Sequence, residues 1–83
     1  MSNMSSMEKS DLLKLVGKRI KGIRESKGMA QVDLVVKMEG SIDTTNISRI
    51  ESGRTNPTVY TLFRISQALE VSMSDLIHIE LPK

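Results

Sequence analysis

Five hydrogen-bonding side chains are concentrated in one short stretch, and their types limit what that stretch can bind. They are Thr44, Thr45, Asn46, Ser48 and Arg49. An Arg guanidinium can bridge O6 and N7 of guanine, an Asn amide can bridge N6 and N7 of adenine, and a Thr methyl can pack on the methyl of thymine. We therefore predict that these five residues contact base edges, provided that they occupy the first turns of an exposed helix that fits a major groove.

Other polar residues suit the phosphates beside such a groove. Arg54 and Asn56 lie in a loop before a predicted helix, and the backbone amides of such a loop and of a helix N-terminus can hold an anion. Ser41, Lys18 and Arg19 are further predicted phosphate contacts. A plain solvent-exposed role is the alternative for the last two, because basic residues are common on the outer faces of helices.

Apolar residues at helical spacing predict the elements that position these side chains. The first helix is capped by Ser10 or Asp11 and ends at Gly28. The second helix spans about residues 30–38, and the third spans about residues 44–52. The third helix carries the predicted base contacts, so its first turn must face solvent.

Side-chain caps predict where the later helices begin. Asp43, Thr58 and Ser72 each precede a helical pattern and can accept a hydrogen bond from a backbone N–H in the first turn. The inner face predicted for the fourth helix consists of Val59, Leu62, Phe63, Ile65 or Ser66, and Leu69. A strand over residues 77–81 is the main competing interpretation of the last segment, because apolar and polar residues alternate there.

These elements predict an all-α domain of five short helices over residues 10–83, preceded by a flexible leader over residues 1–9 that is rich in Ser, Met and Asn. A chain of 83 residues accommodates one domain. No apolar run approaches the roughly 18 residues of a membrane span, and no export signal is evident. We therefore expect a cytoplasmic, nucleoid-associated protein.

The composition argues against catalysis and against a metal or cofactor site. The chain has no Cys and a single His, His78, and it lacks a glycine-rich loop that could cradle phosphates. Residues 8–38 carry eight Lys or Arg against four acidic residues, whereas residues 39–83 carry four against six. The basic first half suits a nucleic-acid partner, although a solvated helix face would have the same charge.

The chain from about Val16 to Ile77 resembles the Cro/phage-repressor type of helix-turn-helix domain. The resemblance is carried by Arg19-Ile20, Arg24, Lys27-Gly28-Met29, Gln31, Leu34, the string ISRIESGRTNP from Ile47 to Pro57, and the tail from Ala68 to Ser72 with Leu76. It implies the compact five-helix fold of lambda-repressor-like domains and a double-stranded DNA ligand. It also implies a phosphate contact at Gln31 and a partly buried ion pair between Arg24 and Glu51.

One departure from the family concerns the turn between the second and third helices. The spacing from Leu34 to Ile47 is about two residues longer than is usual, and the excess falls within residues 39–43. We expect this excess either to lengthen the second helix or to loosen the turn. Either change would alter how Thr44 and Thr45 are presented.

The resemblance also implies two-fold dimers, and hence a dimeric repressor or autoregulator that binds a palindromic operator through the helix near Thr44. The apolar C-terminal residues would otherwise form an exposed patch, so they are the predicted dimer interface. They are Leu76, Ile77, Ile79 and Leu81. The alternative function is a protein-interaction module of the same fold, such as an antitoxin or anti-repressor subunit.

Overall fold

Five helices pack around one apolar core in the computed structural model, which describes residues 7–80. They are α1 (Lys9–Ser26), α2 (Gln31–Lys37), α3 (Thr44–Glu51), α4 (Val59–Leu69) and α5 (Met73–Leu76). The predicted all-α fold is confirmed. Residues 77–80 form no strand, and Leu81 lies outside the described residues. None of the helices in this part of the chain is long and apolar enough to cross a membrane.

The start of α1 differs slightly from the prediction. Residues 1–6 of the predicted leader lie outside the described residues, and Lys9 already belongs to the helix. Glu8 occupies the N-cap and its side chain makes no capping hydrogen bond, so the predicted cap at Ser10 or Asp11 is wrong. Asp11 instead lies within the first turn, where a negative charge is favourable beside the partial positive charge of the helix N-terminus.

The three predicted side-chain caps are present. Asp43 accepts a hydrogen bond from the backbone N–H of Asn46 at 2.8 Å, at the start of α3. Thr58 accepts one from the backbone N–H of Thr61 at 3.1 Å, and Ser72 accepts one from the backbone N–H of Asp75 at 3.0 Å. Each cap satisfies a backbone donor that has no partner within its helix, and so fixes the residue at which the helix begins.

Aliphatic side chains from all five helices form the core. The buried set is Ile20 and Ile23 of α1, Leu34 of α2 with Met38 beyond its end, Ile47 and Ile50 of α3, Ile65, Ala68 and Leu69 of α4, and Leu76 of α5. No aromatic side chain belongs to it, since Tyr60 and Phe63 are exposed. Removal of this apolar surface from water is the main force that holds the short helices together.

Two glycines allow α1 to approach the end of α3 closely. A Cβ on Gly17 would clash with the backbone carbonyl oxygens of Ile50 and Glu51, and would lie 2.7 Å from the carbonyl carbon of Glu51. Gly53, just after α3, has a φ of 78°, and a Cβ there would lie 2.8 Å from the backbone of Lys14. Backbone contact at these two points fixes the position of α3 against α1.

The orientation of α4 departs from the predicted one. Ile65, Ser66, Ala68 and Leu69 face the core, whereas Val59 is 74% exposed and Phe63 is 43% exposed. The prediction that Val59 and Phe63 face inward is therefore wrong. Apolar residues occur on both sides of this helix, so their spacing alone did not determine which side is buried.

Candidate nucleic-acid interface

The helices α2 and α3 pack together through one side each and leave the opposite sides open. Leu34 on α2 and Ile47 on α3 are fully buried, and Ile50 is almost so. This packing places α3 on the molecular surface with its polar residues outward, which is the arrangement that a helix needs in order to enter a DNA groove.

The first turn of α3 faces solvent. Thr44, Thr45 and Asn46 are all exposed, and the Asp43 cap holds the backbone of this turn in helical form. Because Ile47 anchors the next position in the core, the three polar residues are held on a rigid support. Their side chains are free to make hydrogen bonds outside the molecule.

Several predicted contacts line one shallow depression. It has a volume of about 370 Å³ and is bordered by Gln31, Thr44, Thr45, Ser48, Arg49 and Arg54. The structure thus brings four of the five predicted base contacts together with two predicted phosphate contacts. A concave surface that is lined with hydroxyls, an amide and two guanidinium groups provides donors for both base edges and phosphate oxygens.

The remaining polar residues of this region lie on a neighbouring surface. Asn46, Ser41 and Asn56 line a second groove of about 370 Å³ together with residues of α4, among them Arg64. Asn46 thus borders the second groove and not the first depression. Contact of all five residues with base edges stays a prediction.

The two predicted phosphate contacts on α1 border neither surface. Lys18 is exposed, and its role stays a prediction. Arg19 donates a hydrogen bond from Nε to the backbone oxygen of Asp75 at 2.9 Å, and so ties α1 to α5. That contact gives Arg19 a structural task that its sequence position did not indicate.

Gln31 also has a partner within the chain. Its Nε2 donates to Oε1 of Glu51 at 3.0 Å, which links the start of α2 to the end of α3. The second proton on Nε2 does not take part in that bond, so the residue can still donate to a phosphate oxygen at the edge of the depression.

Arg24 and Glu51 form a two-bonded ion pair beneath this surface. Arg24 Nε lies 2.7 Å from Oε2 of Glu51, and Nη2 lies 3.0 Å from Oε1. Nη1 donates to the backbone oxygen of Met29, so one guanidinium joins α1, α3 and the turn before α2. The hydrogen bond with Glu51 raises the pKa of Arg24, which therefore stays charged at any physiological pH.

The longer turn does not lengthen α2. The helix ends at Lys37, and the extra residues lie in the turn that follows. Glu39 and Gly40 adopt φ values of 58° and 72°, in the left-handed region. Ile42 packs against the core and leads the chain into the Asp43 cap. The extra residues therefore form a turn in which two successive residues have left-handed backbone conformations.

The predicted dimer patch needs one correction. Leu76 is fully buried in the core of the single chain, because α5 packs it against α1 and α4, so it cannot belong to an exposed surface. Ile77 is exposed, Ile79 is half-buried, and Leu81 lies outside the described residues. The involvement of Ile77 and Ile79 in a dimer stays a prediction.

A larger exposed apolar surface lies on α4 and was missed from the sequence. Val59 and Tyr60 are 74% and 65% exposed, and the rings of Tyr60 and Phe63 are in contact, with centroids 6.3 Å apart. We call these three residues the α4 face. The sequence could have indicated this face, because α4 carries more apolar residues than one side of an 11-residue helix can bury.

Within residues 7–80, no cluster of His, Asp or Glu has the composition of a metal site. His78 is exposed at the end of α5.

The fold and this surface define a helix-turn-helix protein. The sequence model of the helix-turn-helix family matches residues 20–76, and the chain belongs to that family. The resemblance to Cro/phage-repressor domains is thereby confirmed. The family is one of transcriptional regulators and not of enzymes.

Particular relatives agree with this assignment. The chain is 39% identical over 67 residues to the uncharacterised HTH-type transcriptional regulator y4dJ of Sinorhizobium fredii, covering 81% of this chain and 84% of that one. The restriction-modification controller protein C.AhdI of Aeromonas hydrophila is 26% identical with a TM-score of 0.71, covering 80% of this chain and 96% of that one.

A third relative was solved on DNA. The restriction-modification controller protein C.Esp1396I, as a tetramer in complex with its natural 35 base-pair operator, is 39% identical with a TM-score of 0.68. The alignment covers 81% of this chain and 95% of that one.

Proposed function

We propose that this protein is a sequence-specific DNA-binding transcriptional regulator that inserts α3 into the major groove. The observation that carries the proposal is the depression in which Thr44, Thr45, Ser48 and Arg49 meet Gln31 and Arg54. The first four are assigned to base edges, and the last two are assigned to the phosphates on either side. Asn46 and Asn56 extend the contact toward the α4 side.

The residue types indicate which contacts supply affinity and which supply sequence specificity. Contacts to phosphate supply most of the binding free energy and make it salt-dependent, whereas contacts to base edges supply the discrimination between sequences. Lys18 and Ser41 would add contacts to phosphate, as would any free donor of Arg19. The Arg24–Glu51 pair takes no part in contact and serves to hold α3 in place.

The working unit in this proposal is a homodimer on a palindromic operator; the relative C.Esp1396I is itself oligomeric, a tetramer, on its operator. Two copies of α3 would then lie one helical turn apart, about 34–36 Å. We assign the contact between copies to the α4 face together with Ile77 and Ile79, since the α4 face and Ile77 are exposed in the single chain and Ile79 is only half-buried. Such a dimer would act as a repressor or autoregulator by occupying a promoter.

The test of DNA binding combines selection with two α3 variants. Random duplexes are enriched on the wild-type chain, and the most enriched duplex is used to measure the affinity of Thr45→Ala and Arg49→Ala. Each substitution should weaken binding to that duplex by about 1–3 kcal/mol, with little change in the free energy of unfolding, because both side chains are exposed.

Lys21→Ala is the matched control for Arg49→Ala, since Lys21 is an exposed cation on α1 outside both grooves. It should leave the affinity for the selected duplex unchanged. Enrichment of no sequence at all, or equal losses for Arg49→Ala and Lys21→Ala, would refute the proposal.

The dimer is tested separately by sedimentation at micromolar concentration. Phe63→Ser should shift the wild-type dimer toward monomer, because a polar side chain on the α4 face loses the apolar contact. Val36→Ser is the control, since Val36 is a similarly exposed apolar residue on α2, 69% open to solvent. A wild-type chain that sediments only as monomer, or a Phe63→Ser dimer as stable as the wild type, would contradict the assignment.

A further inference from the structure

The backbone oxygen of Met38 receives three hydrogen bonds at the end of α2. The backbone N–H of Ser41 donates to it at 3.1 Å, the Ser41 hydroxyl donates at 2.8 Å, and Nη2 of Arg64 donates at 3.2 Å. The last carbonyls of a helix have no partner within the helix. Here one of them is the point at which α4 is fastened to the turn that leads into α3.

Arg64 is anchored on this carbonyl more firmly than on its nearest acidic neighbour. Glu39 Oε1 is 3.9 Å from Nη2 and its side chain is 87% exposed, whereas the Arg64 side chain is only 24% exposed. An ion pair this open to water contributes little to stability. A guanidinium at a helix C-terminus, by contrast, satisfies the carbonyl and interacts favourably with the helix dipole.

A contact from outside the turn opposes the cost of its least favourable residue, Glu39. Glu39 is a non-glycine residue in the left-handed region, a backbone conformation that is unfavourable for side chains with a Cβ. Only Gly40, next to it, adopts this region without cost. Four local hydrogen bonds hold the turn: the N–H of Glu39 donates to Val36 O at 2.9 Å, that of Gly40 donates to Val35 O at 3.1 Å, and the N–H and hydroxyl of Ser41 both donate to Met38 O. All four join the turn to α2, whereas the bond from Arg64 joins it to α4.

We propose that Arg64 is a positioning residue that fixes the turn formed by residues 39–42 and thereby sets the register of α3 on DNA. The turn leads directly into the Asp43 cap of α3, so a shift of the turn moves the helix that carries Thr44 and Thr45. Arg64 acts on DNA recognition through the Met38 carbonyl and from a different helix. The part of this inference that concerns DNA rests on the proposed function.

The first measurement uses the chain without DNA. Amide hydrogen exchange is followed by NMR for Gly40 and Ser41 in the wild type and in Arg64→Ala, Arg64→Lys and Lys37→Ala. Loss of a charged hydrogen bond to Met38 should lower the protection of these two amides about tenfold in Arg64→Ala. Arg64→Lys keeps a cationic donor and should restore part of the protection, which also covers the case in which Arg64→Ala does not fold.

Lys37→Ala is the charge-matched control. Lys37 also links the end of α2 to the end of α4, through an exposed pair with Glu70 at 3.9 Å, but the three donors to the Met38 oxygen are on Ser41 and Arg64. Its removal should leave the exchange of Gly40 and Ser41 unchanged. Unchanged protection in Arg64→Ala, or an equal change in Lys37→Ala, would overturn the inference.

The second measurement separates positioning from simple loss of charge. Affinities are compared for the duplex that the wild-type chain enriches and for a random duplex of equal length. Arg64→Ala should weaken binding to the enriched duplex about tenfold more than binding to the random one, because only base contacts depend on the register of α3. Lys37→Ala should weaken both equally.

Equal weakening of both duplexes by Arg64→Ala would overturn the role in recognition. If the wild-type chain enriches no duplex, the proposed DNA-binding function is rejected, and with it the role of Arg64 in placing α3 on DNA. The hydrogen-exchange measurement still decides whether Arg64 holds the turn. A failure of the proposed function can therefore be told apart from a failure of the role of Arg64 in the turn.

Discussion

Replacement of Arg24 with Met removes a charge from the centre of the contacts that hold α3. Glu51 would keep one hydrogen bond, from Gln31, and its carboxylate would stay 97% buried with no cation beside it, since its side chain is only 3% exposed. Breaking a buried ion pair by removing one partner costs about 3–5 kcal/mol. A chain of this size has a total stability of about 4–12 kcal/mol, so the variant should lose about a quarter or more of it.

The double variant Arg24→Met with Glu51→Leu should be much less damaged than the two single variants together. It leaves no buried charge, and its main defect is the Met29 oxygen that loses its donor from Nη1. An unpaired buried carbonyl costs about 1–3 kcal/mol, and the Met29 oxygen, which is only part-buried, should cost no more than that. Since each single variant should lose about 3–5 kcal/mol, the cycle predicts a coupling energy of about 3 kcal/mol or more.

The assay is urea unfolding followed by far-UV circular dichroism at pH 7 and at one protein concentration, because a dimer would make stability concentration-dependent. The pKa of Arg24 is raised in the folded chain, so the contribution of its charge is fully present below the unfolded pKa and is lost only as pH rises through the folded value. A loss below about 1 kcal/mol in Arg24→Met, or additive effects of the two single variants, would show that the ion pair does not hold α3 in place.

Three further predictions concern the backbone that carries α3 and α4. Gly17→Ala should lower the free energy of unfolding, measured by thermal unfolding, by about 3 kcal/mol, because its Cβ would overlap the end of α3. Gly22→Ala should raise it by about 0.5–1 kcal/mol, because nothing lies near its Cβ, and equal effects of the two variants would be inconsistent with the close contact. Glu70→Gly should raise the melting temperature by a few degrees, since Glu70 caps α4 at a φ of 59° and its exposed pair with Lys37 contributes little; a lower melting temperature would contradict this. Asp43→Ala should cost about 1 kcal/mol by loss of the cap on Asn46, measured by urea unfolding, and an unchanged midpoint would show that the cap is dispensable.

The sequence predicted the elements whose boundaries depend on local chemistry. Asp43, Thr58 and Ser72 can cap a helix with their own side chains, so the starts of α3, α4 and α5 follow from residue type. Ile47 and Ile50 bury one side of a short polar helix, so the exposure of Thr44 and Thr45 follows as well. The family resemblance supplied the pairing of Arg24 with Glu51, which spacing alone could not.

Features that depend on packing between helices could not be predicted from the sequence. Val59, Phe63 and Leu76 are apolar residues on helices with several apolar positions, and only the packing decides which of them are buried. The bond from Arg64 to Met38 joins residues 26 positions apart and has no local signal. The close contact at Gly17 did have a local signal, because a glycine inside a helix is unfavourable and usually has a packing reason.

Recognition of bases by exposed side chains of α3 can be measured by repeating the random-duplex selection with Arg49→Ala beside the wild type. We expect both chains to enrich a two-fold symmetric sequence, and the variant to lose preference at one symmetry-related base pair in each half-site while the others are kept. Identical sequences from both chains, at comparable enrichment, would show that Arg49 does not read a base.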